Sequence, residues 1–115
     1  MKICDVQHMN FLHDFYGTLL TKKQSEVYLL RHMEDCSLAE IAEVLNTSPQ
    51  AVLDLLKRTE RKLEGFESRL GLIASYEKNK ETVTLAIKAC DRLEEQHGSN
   101  DDVALVRSVL MKILR

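Results

Sequence analysis

Residues 37–59 read SLAEIAEVLNTSPQAVLDLLKRT, and the polar punctuation in this stretch decides the fold. Ser37 followed three residues later by Glu40 is a capping box, in which each side chain satisfies a backbone N–H of the other. Asn46, Thr47 and Ser48 break the helix thus begun. Ser48 and Pro49 then restart it, with an N-cap hydroxyl followed by proline at the first helical position. Ala39, Ile41, Ala42 and Leu45, then Val52, Leu55 and Leu56, supply small and apolar faces by which two short helices pack at a steep angle. This is the pattern of a helix-turn-helix, and it raises the question of whether the second helix reads DNA.

Toward the N-terminus, residues 6–20 form a helical segment with Met9, Leu12, Tyr16, Leu19 and Leu20 near helical spacing. Thr21 with Gln24 makes a second capping box. It opens a helix over residues 22–33 that turns Val27, Leu30 and Tyr28 to a core. Toward the C-terminus, Val52, Leu56, Thr59, Leu63, Phe66, Leu70 and Ile73 alternate steps of four and three, the rhythm of a coiled coil. Gly65 and Gly71 lie off that stripe and leave it intact. Two uses of it stay open: folding back onto the first helix, or pairing with a second copy through Leu63, Phe66, Leu70 and Ile73. Residues 82–96 read as a further helix with Val83, Ala86, Ile87, Cys90 and Leu93 on one face. Gly98, Ser99 and Asn100 break it, and a last helix carries Val103, Val106, Leu110 and Ile113, a stripe widened by Leu105, Val109 and Leu114. So wide a stripe needs covering. The expectation is an all-α chain: a helix-turn-helix domain over 1–73 with a long following helix, and a C-terminal helical extension over 74–115 that shares in a dimer interface.

The composition suits a soluble helical protein. In 115 residues, 30% are charged and 44% hydrophobic, with one proline and four glycines. No apolar run approaches membrane-spanning length, and residues 1–11 lack a signal-peptide core. Cys4, Cys36 and Cys90 are odd in number and form no CxxC pair, which fits reduced thiols and a cytoplasmic location. The 16 basic and 18 acidic residues leave a formal charge of −2, which speaks against a strong, promiscuous binder of polyanions.

Signals for chemistry are weak. His8, His13, His32 and His97 fall at no metal-ligand spacing, and no glycine-rich phosphate loop or nucleophile elbow occurs. Asp5 with His8 and His13 with Asp14 are the acid–histidine pairs, and a solvated surface role is the commoner one for such pairs. Cys36 precedes a helix start, where free N–H groups lower a thiol pKa, although a small packed hydrophobe is the commoner role. No cofactor and no enzymatic activity are expected. Nucleic-acid recognition has better candidates. The first turn of the second helix places Pro49, Gln50, Leu53 and Asp54 where base edges are read. Of these, Gln50 is suited to a bidentate contact with adenine. Lys57, Arg58 and Arg61 on that helix, with Lys22 and Lys23 at an earlier helix start, are the candidate phosphate contacts.

Residues 9–72 resemble the YlxM-type family of small bacterial helix-turn-helix proteins. The marks are Asn10, Asp14-Phe15-Tyr16, Leu19-Leu20-Thr21, Lys23-Gln24, Ser37-Leu38, Glu40-Ile41-Ala42, Gln50-Ala51-Val52, Asp54 and Lys57-Arg58-Thr59-Glu60. The helix-turn-helix is itself similar to region 4 of sigma factors. The resemblance implies an all-helical homodimer in the cytoplasm, a regulatory role on DNA or RNA, and a link to the signal recognition particle pathway. The alternative it leaves is a non-catalytic accessory protein docking on the protein or RNA of that particle. The family tends to carry arginine, tyrosine and asparagine where this chain has Pro49, Leu53 and Leu55, and the added leucines favour a protein contact.

Overall fold

The computed structural model describes residues 5–114. Its helices are α1 (Asp5–Tyr16), α2 (Lys22–His32), α3 (Leu38–Leu45), α4 (Pro49–Leu70), α5 (Leu72–His97) and α6 (Asp101–Ile113), with a single 3₁₀ turn (Gly17–Leu19) after α1. No strand occurs among the described residues, and the chain is all-α.

The helix starts are the ones the polar residues specify. Thr21 accepts from Gln24 N at 3.1 Å and its own N–H donates to Gln24 Oε1 at 3.0 Å. Ser37 and Glu40 repeat the exchange at 3.1 and 2.7 Å, and the bond from the Ser37 N–H holds the Glu40 carboxyl below its usual range. Ser48 accepts from Ala51 N at 3.1 Å, with Pro49 opening α4. Between α3 and α4, Asn46 closes the first helix in the left-handed conformation at φ 54°. Asparagine tolerates that region better than most residues do.

Three elements differ from the sequence-based expectation. α1 ends at Tyr16, and residues 17–19 tighten into the 3₁₀ turn. Gly71 does not ride along the coiled-coil rhythm: it takes φ 62° and caps α4, its N–H donating to Glu67 O at 2.8 Å. α5 begins directly after it and runs through the charged residues 77–81, where a break was expected before Thr82. Glutamate and lysine are good helix formers, so their run ends an apolar stripe without ending a helix.

α1, α2 and α3 all pack on α4. Val27, Ile41, Ala42, Val52 and Leu56 form one buried cluster, with Leu30, Leu45 and Leu55 packed against it. Leu12, Tyr16, Tyr28, Leu63 and Ile73 form the other, joined by Met9, Phe15 and Phe66. Of the two uses left open for the stripe, packing within the chain is the one seen at Leu63 and Ile73: both are buried beside Tyr16 and Tyr28, and Phe66 packs on the same cluster. Of the four expected dimer residues only Leu70 is left exposed.

The chain divides into two compact units, one ending at Ile73 and one beginning at Ala74. In the second, Val83 and Cys90 of α5 are buried. Arg107 of α6 donates to Asp91 Oδ1 at 3.0 Å and to Glu94 Oε1 at 2.5 Å, pinning α6 to α5. No residue of α6 is buried, and Leu105, Val106, Val109 and Ile113 are all exposed.

Candidate nucleic-acid interface

α4 is the longest helix of the first unit, and its two sides have different work. At about 3.6 residues per turn, Val52, Leu56, Thr59 and Leu63 share the buried side, while Gln50, Asp54, Lys57 and Arg61 share the opposite, exposed one. Thr59 enters the core because its hydroxyl donates to Leu55 O at 2.8 Å, and among the described residues no buried side-chain nitrogen or oxygen lacks a partner. Gln50 stands exposed in the first turn, where its amide donates to Asp54 Oδ1 at 3.3 Å. The two side chains thus meet on the helix surface. Leu55 packs into the core beside Val27, and Leu53 is half-buried, so neither is a free apolar knob for a partner.

The charges of α4 are sorted. Each of its carboxylates has a partner: Asp54 takes Gln50, Glu60 accepts from His32 Nε2 at 2.7 Å, Glu64 meets His8 Nε2 at 3.1 Å, and Glu67 accepts from Tyr16 Oη at 2.5 Å. The cations are held differently. Lys62 Nζ donates to Gln24 Oε1 at 3.3 Å, while Lys57, Arg58, Arg61 and Arg69 make no ion pair among the described residues. Helical spacing puts Glu60, Glu64 and Glu67 on one flank of α4 and Arg58, Lys62 and Arg69 on the other. α2 crosses between them, since His32 near its C-terminus reaches Glu60 and Gln24 in its first turn reaches Lys62. Lys22 and Lys23, both exposed, share the first turn of α2 with Gln24, whereas Lys57 and Arg61 lie on the outward face of α4.

The acid–histidine pairs come out otherwise than the sequence suggests. His8 engages Glu64, with the Asp5 side chain outside the described residues, and His13 Nε2 meets Ser25 Oγ at 2.9 Å instead of pairing with Asp14. Cys36 is pushed up, not down: partial burial, then the carboxylates of Glu40, Glu34 and Asp35, disfavour its thiolate. Sequence reading missed Lys62, whose placement depends on a contact with Gln24 across 38 residues of chain. No helix among the described residues is long and apolar enough to cross a membrane.

Comparison with known proteins extends over both units. The sequence profile described as helix-turn-helix protein, YlxM / p13 like, of the UPF0122 group, matches residues 4–103. A UPF0122 protein of Halalkalibacterium halodurans is 44% identical over 101 residues, covering 88% of this chain and 90% of the relative. One from Geobacillus kaustophilus is 40% identical over 102 residues, with 88% and 90% covered. One from a Thermoanaerobacter species is 35% identical over 109 residues, with 95% and 93% covered. The likeness therefore runs well past residue 72, through α5 and into α6.

Proposed function

The chain belongs to the YlxM/p13-like family of helix-turn-helix proteins, and from that footing we propose that it is a DNA-binding regulatory protein. The observation that carries the reading is the sorting of charge on α4, where the carboxylates are occupied and Lys57, Arg58 and Arg61 are not. In this reading Gln50 exchanges its bond with Asp54 for a base edge, and Lys57, Arg58, Arg61, Lys22 and Lys23 hold phosphates. Docking on protein or RNA of the signal recognition particle draws on Leu53 and Leu55. The packing of Leu55 in the core leaves that alternative the weaker one.

Binding to duplex DNA should weaken steeply with salt, and Gln replacements of Lys57, Arg58 or Arg61 should each flatten the log–log salt slope by about 1. Gln50→Ala should instead relax base preference by about 1–3 kcal/mol with the slope unchanged. A duplex pool that shows no binding at low salt would overturn the reading.

We also assign self-association to the C-terminal unit. Leu105, Val106, Val109 and Ile113 are exposed along α6, an apolar patch of the kind that marks an interaction surface. Light scattering at tens of micromolar should give a dimer mass, with Val109→Glu shifting it to monomer. A monomeric wild type would remove the assignment.

A further inference from the structure

Gly65 lies inside α4, where glycine costs about 0.5–1 kcal/mol relative to alanine. Nothing in the fold asks for it. A Cβ built there would meet no atom within 4 Å, and Gly65 is not among the glycines with positive φ. What surrounds it is basic. On a helix surface the neighbours of a residue lie three and four positions away, and for Gly65 these are Arg61, Lys62, Ser68 and Arg69, with Arg58 one turn beyond. The carboxylates Glu60, Glu64 and Glu67 sit on the other flank, bound to His32, His8 and Tyr16. The result is a half-buried point on the helix that carries no side chain of its own and has open space for one, with Arg61, Lys62 and Arg69 as three of its four helical neighbours.

We propose that Gly65 is a close-approach point for the sugar–phosphate backbone of duplex DNA, with Arg58, Arg61, Lys62 and Arg69 contacting phosphates around it. The bare backbone lets the strand come within reach of cations on both sides of Gly65, which a larger side chain at the centre would prevent. Gly65 lies roughly 22 Å along α4 from Gln50, at about 1.5 Å per residue. The contact is therefore made to backbone flanking the groove and carries no sequence information. The inference rests on the DNA-binding reading above and adds to it a glycine retained for the ligand's sake.

The test uses the full chain with a labelled duplex of random sequence at low salt, and compares wild type with Gly65→Ala and Gly65→Gln alongside thermal melts. Both replacements should melt at or above the wild-type temperature, because each improves helix propensity. Gly65→Gln should nonetheless weaken binding roughly tenfold, with Gly65→Ala weakened less. Tight binding by a fully folded Gly65→Gln variant would overturn the proposal and leave the DNA reading standing. Failure of wild type to bind any duplex would remove both.

Discussion

Leu63→Ala is expected to destabilise the protein by about 2–5 kcal/mol, the range for truncating a buried leucine to alanine. Leu63 of α4 is completely buried among Leu12, Tyr16, Tyr28 and Ile73, contributed by α1, α2 and the start of α5. The truncation would leave a void at the meeting point of these elements, with two tyrosine rings poorly placed to collapse into it. The expected cost separates the two uses that a leucine on a coiled-coil stripe can have. If Leu63 packs within its own chain, the drop in melting temperature relative to wild type is the same at low and high protein concentration. A drop that grows on dilution would assign Leu63 to an interface between copies.

Tyr16→Phe is expected to cost about 1–3 kcal/mol, because one fully buried tyrosine's hydroxyl serves two partners in part-buried bonds. Tyr16 Oη donates to Glu67 Oε1 at 2.5 Å and accepts from Leu72 N at 3.1 Å. Glu67 Oε1 in turn accepts from Ile73 N at 3.0 Å. Leu72 and Ile73 open α5, so their N–H groups have no acceptor inside that helix. Removing the hydroxyl strands the first of them. The loss also depends on pH. Burial, then the bond to Glu67, raises the Tyr16 pKa above 10.0, and burial with the charges of Glu60 and Glu64 raises that of Tyr28. Above about pH 10 an unfolded tyrosine loses its proton while these two keep theirs. The unfolded chain then binds fewer protons, and stability falls as pH rises. Denaturant unfolding should therefore show a wide gap between wild type and Tyr16→Phe near about pH 8, narrowing above about pH 10. A gap that is constant across that range would mean that Tyr16 is not held in its neutral form.

The caps at Thr21, Ser37 and Ser48 are legible in the sequence because each is a bond across three residues, carried by a side chain whose chemistry suits little else. The apolar stripe of α4 is legible for the same reason, since periodicity is a local property, although the end of the helix at Gly71 is not. What covers the stripe is not: periodicity marks Leu63 and Ile73 as apolar-face residues but is silent on whether the facing surface comes from α1 or from another molecule. Gly71 illustrates a different limit. Its left-handed conformation and that of an ordinary helical glycine are spelled with the same letter, and Gly65 six positions earlier is the helical one. In the candidate interface, Gln50, Lys57, Arg58 and Arg61 can be picked out as exposed polar groups on one helix. The partners that occupy the acids cannot, because His8 and Glu64 are separated by 56 residues and His32 and Glu60 by 28.

The sorted charge of α4 matters before any contact is made. Carboxylates gathered on one flank and guanidiniums on the other give the helix an electric moment across its axis, and the field of a distant polyanion acts on that moment as a torque. A chain with a formal charge of −2 is weakly repelled by DNA as a whole. On the DNA-binding reading proposed above, that moment would turn it, as it diffuses inward, so that the Arg58–Arg69 side leads. Orientation would then be set within a Debye length or so of the duplex, about 8–10 Å at ordinary ionic strength. The basic flank arrives already facing the strand it would bind.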